Sequence, residues 1–396
     1  MSLACVRARM RNHSRIRWLG LLLLSAMLPG CPSLTTLTNP PAPAVDPFSS
    51  ATVTLETFVP NANFPVGMVF LPDGSLMYVE KNTGLVRIVS PDGQLQAEPF
   101  ADFAVANAGD AGLLGVALDP DFETNHYIYF ALTQNGSATD NALSRTDTRV
   151  VRLTAAGNTA VPNSEQVIVV IPGSPLPGHE GGNVHFGPDG KLYLSIGDRR
   201  FNNFPNEEAQ QLDKLAGRML RLNPDGTIPA DNPYPDNMTF AYGLRNSFDF
   251  TFDPLSGLLL ATENGPSGED ELNLIESGMN YGWPDVSGVE DTPDEQTFAA
   301  ATPNYRSPLT ILGRAPTGID VNLADAYGAE FNGDLFVAEY VHGTVKRIHL
   351  TADRRTVFSV DTFADGIPGG LNDLAFGPDG LIYISTSESI ARLVPQ

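Results

Sequence analysis

The residues able to do chemistry fall in three stretches of the sequence. His179 stands in PGHEGGN (177–183), and the glycines that follow it let other groups approach closely. A histidine so placed suits general-base work near neutral pH; the plainer alternative is a loop histidine bonded to a backbone carbonyl. Arg245 and Asn246 sit side by side after YGL (242–244), at the start of a strand pattern. Such a pair can clamp an anionic or carbonyl-rich ligand, the guanidinium through its forked donors, although pairing with one of the chain's many acids is the plainer use. The third stretch, GPSGEDELNLIESGMNY (265–281), sets the bare carbonyls of Gly265 and Pro266 ahead of a run of carboxylates that includes Glu271, and it ends at Asn280 and Tyr281. Hard oxygen donors in that density suit Ca²⁺, which takes about six to eight of them, whereas an acid run alone reads as a solvated loop. His126 and His185 alternate with apolar strand residues and read as structural. No CxxC, HExxH or Walker-type loop occurs, so zinc and nucleotide-phosphate chemistry have no footing.

A β-scaffold must position these groups. FDFTFDPLSGLLLATEN (248–264) reads as two short strands around a turn at Pro254–Gly257, with polar residues at the strand ends and in the loops beyond, where binding residues gather. The same phrase recurs as FLPDGSLMYVE (70–80), ALDPDFETNHYIYFAL (117–132), FGPDGKLYLSIGD (186–198), FDPLSGLLLATENG (252–265), FNGDLFVAEY (331–340) and FGPDGLIYIST (376–386). Each copy is a strand, a tight turn and a second strand; Asp bonds the turn through its side chain and Gly supplies positive φ. Six copies predict an all-β, six-bladed propeller, with five or seven blades left open by the irregular spacing. A β-sandwich needs no such repeat. The non-repeating inserts 101–115, 173–182, 199–215, 263–284 and 285–332 are expected to hold the site.

The chain has 396 residues and a formal charge of −22. Beyond the five arginines of the first thirty residues, 19 basic and 46 acidic residues remain, a balance of −27. That surface repels nucleic acid and anionic lipid, and an anionic ligand would need a local basic patch. Residues 1–31 form an export-type leader: Arg7, Arg9, Arg11, Arg15 and Arg17 precede an apolar core, Trp18 to Leu28, too short to span a bilayer. The leader closes on Leu28-Pro29-Gly30-Cys31, which resembles a bacterial lipobox. Lipidation at Cys31 is therefore expected, with an ordinary secretory signal as the alternative. The expected location is outside the cytoplasm, facing the periplasm or cell exterior and touching the membrane only through the lipid. The other cysteine, Cys5, lies within the leader, so no disulfide is expected beyond it. Residues 32–51, rich in Pro, Thr and Ser, read as an extended tether, and the propeller is expected over 52–396.

Five blocks in order carry a resemblance to the soluble quinoprotein glucose/sorbosone dehydrogenase family, and within it to the aldose sugar dehydrogenases. They are GLLGVALDPDF (112–122), HEGGNVHFGPDGKLYLSIGD (179–198), AQQLDKLAGRMLRLNPDGTIPADNPY (209–234), YGLRNSFDFTFDP (242–254) and ENGPSGEDELNLIESGMNYGWP (263–284). The resemblance implies a six-bladed propeller that binds pyrroloquinoline quinone (PQQ) and calcium. It implies oxidation of the anomeric hydroxyl of a sugar to a lactone, with electrons passed on to an acceptor. By that likeness His179 is the base, Arg245 polarises the quinone carbonyl, and Asn246 and Asp110 face the cofactor. Gly265 and Pro266 would give carbonyl ligands to the cofactor's calcium, and Glu271 and the Tyr281 carbonyl would hold a second, structural calcium.

Three positions depart from the family pattern. Asp110-Ala111-Gly112 replaces the usual Gln or Glu ahead of its glycines, Gly370-Leu371-Asn372-Asp373 lacks the usual arginines, and Val341 or His342 stands where a lysine usually faces the cofactor. Lost positive charge facing a tricarboxylate predicts weaker cofactor binding, at roughly 1.5–3 kcal/mol for each charge-assisted bond. That loss favours an alternative reading, a non-catalytic calcium-binding propeller for a glycan or protein partner. A calcium-dependent lactonase would need a central metal held by side chains from several blades, and no such set is apparent.

Overall fold

The structure is a computed structural model and describes residues 53–135, 146–173, 178–200 and 205–396. The leader, Cys31 and the tether lie outside these residues. Six antiparallel sheets are arranged as the blades of a propeller. The innermost strands, in ring order, are Pro65–Phe70, Leu113–Leu118, Val184–Phe186, Ser247–Phe252, Pro316–Val321 and Leu371–Phe376. Five of the six repeated phrases span the first two strands of a blade, and the other, 331–340, covers only the second strand of the fifth, Leu335–Glu339. Val53–Val59, which no repeat marked, pairs with the final strand Ile390–Pro395 and becomes the outer strand of the sixth blade. The two ends of the described chain are thereby zipped together and the ring is closed.

The turn chemistry is the same in successive blades. In the first, third and sixth, the side chains of Asp73, Asp189 and Asp379 accept the backbone N–H two residues on, at 2.9, 3.1 and 3.1 Å. The intervening Gly74, Gly190 and Gly380 take φ of 84°, 69° and 77°, which a β-carbon would disfavour. Tyr193 and Tyr383 donate to the second oxygen of the same aspartates, tying strand to turn. In the second blade the turn contains a one-turn helix, Phe122–Asn125, and His126 caps it with φ 58° rather than standing within the strand. A short helix, Pro293–Ala301, also rises in the longest insert behind a Thr292–Glu295 capping box.

The apolar side chains divide into six clusters, each bridging two adjacent blades. No blade buries its faces by itself. The axis, by contrast, is polar. Asp249, Asp320 and Asp373 stand on three consecutive inner strands, Asp249 and Asp373 at or beside register shifts. Asp249 accepts the N–H of Ile319 at 3.0 Å and Asp320 that of Phe376 at 2.9 Å, so each carboxylate stitches its blade to the next. Asp373 reaches the N–H of Met68 in the first blade in the same way. His185, as expected, is structural: it lies 3.3 Å from Asp249 and packs edge-on to Phe250. His349, which the sequence pattern did not single out, bonds Asp334 at 2.6 Å. No helix among the described residues is long and apolar enough to cross a membrane.

Clustering acids around a low-dielectric axis has a consequence for stability. Asp320 lines a small axial cavity of about 250 Å³, and burial pushes its carboxyl up to about 6. Burial, and then the charge of Asp249, pushes Asp373 well above the usual range. Below about pH 4 folded and unfolded chains both carry these protons; as pH rises the unfolded chain ionises first, so stability falls until pH has passed the folded values. The melting temperature of the metal-free chain should therefore drop between about pH 4 and pH 6. Thermal melts of Asp320→Asn should show a flatter slope over that interval.

Candidate functional site

At the face where the inner strands begin, a cavity of about 660 Å³ is lined by residues from all six blades or the loops joining them. A volume of this size is typical of sites for ligands the size of a cofactor with a substrate. His179, Arg245, Asn246, Asp110 and Gly265, singled out from the sequence, all line it. Pro266, Glu271 and Tyr281 do not. They belong to a neighbouring region in which Glu271 and Tyr281 are buried.

His179 is held at three points. Its backbone takes φ 49°, its N–H donates to Asp110 at 2.8 Å, and its Nδ1 lies 2.7 Å from Asp198. Asp198 is fully buried, and its other oxygen accepts the indole N–H of Trp283 at 2.8 Å. The carboxylate can only accept, so it selects the tautomer with hydrogen on Nδ1 and leaves the Nε2 lone pair for the cavity. Gly197 permits the approach, because a β-carbon there would fall 2.1 Å from the His179 carbonyl oxygen. The plainer alternative, a loop histidine bonded to a carbonyl, gives way to a histidine oriented by a carboxylate. Asp198 and Trp283 were both quoted within sequence blocks, but nothing in their spacing, 85 residues apart, paired them.

Arg245 follows from the same hub. Its carbonyl accepts the N–H of Asp198 at 2.6 Å. Its guanidinium donates to the carbonyls of Asn264 at 2.6 Å and Gly265 at 3.0 Å and lies over the Trp283 ring at 5.4 Å. Burial lowers its pKa, with Asp198 and Glu263 opposing, yet a guanidinium stays charged. The cavity thus sets a permanent cation and an oriented imidazole around one space.

The acidic stretch separates into two parts. Asp270 accepts the N–H of Gly265 and of Ala315, both at 2.8 Å, and holds the turn in shape. Glu263 and Glu271 are cross-strand partners, fully buried, and converge on the one side-chain amide of Asn273 at 3.3 and 2.8 Å. Burial pushes Glu271 up to about 7 and, with the charge of Glu271 next, pushes Glu263 well above its usual range. The Asn273 side-chain oxygen is buried with no partner. Buried acids of this kind carry either protons or a cation. Among the described residues no group of three or more His, Cys, Asp or Glu is arranged to hold a metal by side chains alone. The expected donor set leaned on carbonyls instead, and of those Gly265 faces the cavity.

The expectation that positive charge is depleted needs correction. Asn372 and Val341 line the cavity as uncharged residues, but so do Lys81 and Arg314, which sequence reasoning passed over. Lys81 follows the second strand of blade 1 and Arg314 precedes the first strand of blade 5. Lys81 directly follows a repeat phrase and Arg314 lies in the 285–332 insert, both outside the blocks that carried the resemblance, so no motif signalled them.

The glucose/sorbosone dehydrogenase family profile matches residues 62–395. The chain is 34 % identical over 283 residues to quinoprotein glucose dehydrogenase B of Acinetobacter calcoaceticus, covering 66 % of this chain and 58 % of that one. It is 28 % identical over 357 residues to an aldose sugar dehydrogenase of Escherichia coli, covering 87 % and 92 % of the two chains. The PQQ-bound aldose sugar dehydrogenase of Streptomyces coelicolor superposes with a TM-score of 0.69 at 26 % identity, over 87 % of this chain and 99 % of that one. This chain belongs to the glucose/sorbosone dehydrogenase family, the soluble sugar-oxidising quinoproteins.

The hub makes a structural prediction independent of turnover. Nitrogen-detected NMR of the His179 ring should report hydrogen on Nδ1 in the native chain at neutral pH. Asp198→Asn should shift the ring toward the other tautomer while the backbone spectrum stays native. An unchanged ring spectrum would mean that Asp198 does not orient the imidazole.

Proposed function

We propose that the chain is a PQQ- and calcium-dependent sugar dehydrogenase that oxidises the anomeric hydroxyl of a sugar to a lactone. The observation that carries this reading is the buried Asp198–His179 pair turned toward a cavity that also presents Arg245. When bound, PQQ supplies an electrophilic quinone that accepts a hydride equivalent. The residues present suit it: a cavity of fitting size, side-chain amides at Asn246 and Asn372, and cations at Lys81, Arg245 and Arg314. The non-catalytic alternative rested on missing charge, which Lys81 and Arg314 partly restore at the cavity, and it keeps support from hedgehog-interacting protein of Mus musculus, 30 % identical over 207 residues.

His179 would accept the hydroxyl proton at Nε2, and Asp198 would steady the imidazolium that results, as a carboxylate does when it accepts from the opposite ring nitrogen. Arg245 would hold positive charge at the wall where negative charge develops, already fixed by two carbonyls and therefore needing little reorganisation. Asn246 and Asp110 would position the cofactor, Asp110 also holding the His179 backbone. Gly265 and Pro266 would offer carbonyls to one calcium, and Glu271 with the Tyr281 carbonyl would hold another, relieving the buried Glu263–Glu271 pair. The leader and Cys31 support an exported, lipid-anchored protein that hands electrons to an acceptor outside the cytoplasm.

His179→Ala should lower dye-coupled sugar oxidation by about 10²–10⁴-fold with PQQ affinity retained, the range expected for removing a positioned base. Full turnover in that variant would sink the mechanism. Calcium should raise the melting temperature more at about pH 8 than at about pH 5.5, because at the lower pH Glu271 and Glu263 hold protons that an ion must displace. Glu271→Gln should remove most of the increment. An increment that does not vary with pH would locate the ion elsewhere.

A further inference from the structure

The sector of the cavity between blades 5 and 1 lacks the basic residues expected at Val341 and Asn372, yet it is flanked by two cations with unusual surroundings. Lys81 stands on one side of it and Arg314 on the other. Among the described residues neither makes an ion pair, in a chain of net charge −22. Cations left unpaired on so acidic a protein, and facing a cavity, are poised for an anion.

Both positions are built. Lys81 donates its backbone N–H to Phe64 at 3.0 Å and accepts that of Leu113 at 3.1 Å, so its main chain is pinned where three blades meet. Its stem runs past Gly112, where a β-carbon would lie 2.4 Å from Lys81 Cγ; a side chain at that glycine would displace the lysine. The ammonium lies 5.4 Å from the Phe64 ring centre and donates to the Gly109 carbonyl at 2.8 Å and the Asn82 amide oxygen at 3.3 Å. Those acceptors are neutral. Burial lowers its pKa, and the charge of Asp110 opposes that shift without contact. Arg314 is presented by Ala315, a non-glycine residue at φ 54°. That backbone is pinned by Asp270, which accepts the Ala315 N–H at 2.8 Å, and by Tyr340, whose N–H donates to the Ala315 carbonyl at 2.9 Å.

We infer that Lys81 and Arg314 are the anchors for the carboxylates of the bound quinone, taking over from the basic residues absent at 341 and 372. The inference rests on the quinone reading above and names the groups that make it workable in this chain. Arg245 and His179 line the same cavity, so a flat tricarboxylate held by the two cations would lie beside the reacting pair. A partly desolvated ammonium and a forked guanidinium each bind carboxylate better than a fully hydrated surface cation does.

The test is PQQ uptake by the calcium-loaded chain purified without cofactor, followed by quinone absorbance at low and high salt. Lys81→Met, which keeps the apolar stem against Phe64, and Arg314→Gln should each raise the Kd by roughly ten- to a hundredfold. Lys81→Arg should restore binding to within a few-fold of native, and the salt dependence should shrink in the two neutral variants. Arg314 is exposed, so its variant carries the test even if the Lys81 variants fold poorly. Native uptake with equal affinity in both neutral variants overturns the inference and leaves the quinone reading standing. Unchanged PQQ affinity with an altered KM for sugar also overturns it, assigning the cations to substrate. No uptake by the native chain removes the quinone reading and the inference together.

Discussion

Everything in this protein depends on closing a ring. Each blade has two faces and can bury them only against its neighbours, so the apolar side chains form six interblade layers instead of one central core. An open arc would lose one such layer and leave two blade faces exposed. The N-terminal strand Val53–Val59 removes that defect by zipping onto Ile390–Pro395. Around the axis the inner strands are the open edges of their sheets and leave backbone N–H groups unpaired by them. Asp249, Asp320 and Asp373 satisfy them across blade boundaries. The axial acids are therefore the local cost of a closure that makes the whole molecule stable.

Closure also explains the rigidity of the site. No blade supplies the candidate machinery alone: the histidine comes from the junction of blades 2 and 3, the arginine from that of blades 3 and 4, and the indole from the loop between the last two strands of blade 4. Asp198 joins them. It is a buried carboxylate with a histidine on one oxygen, an indole on the other and its N–H on the carbonyl of Arg245. A group so enclosed fixes tautomer and orientation together, which makes the imidazole useful to a hydroxyl proton in the cavity. Family membership gives the class of chemistry, and this hub supplies a physical reason for that chemistry to occur at this position.

Charge was the point at which motif reading and geometry diverged. The motifs at positions 341 and 370–373 hold no basic residue, which by itself implies a weakened cofactor site. The cavity collects cations by proximity, and Lys81 and Arg314 reach it from elements far apart in sequence. An electrostatic requirement specifies how much charge stands near a place and leaves open which residue carries it. Motifs record residues, so they miss a charge that has moved to another blade.

The sequence by itself determined the architecture and most of the site's members. The Pro-Asp-Gly turn works through local bonds between Asp73, Gly74 and Ser75 or their counterparts, so a repeat of six such phrases is a repeat of six hairpins whatever surrounds them. His179, Arg245 and Asn246 were legible because each is set within a few residues of its own motif. Only the tertiary structure decided what lies between motifs: that Val53–Val59 belongs to the last blade, that Asp198 pairs His179 with Trp283, that Glu263 opposes Glu271, and that Lys81 and Arg314 face the cavity. The physical reason is range. Turn geometry is fixed by contacts a few bonds long, whereas burial, charge and hydrogen bonding across blades arise only once the ring has brought distant strands together.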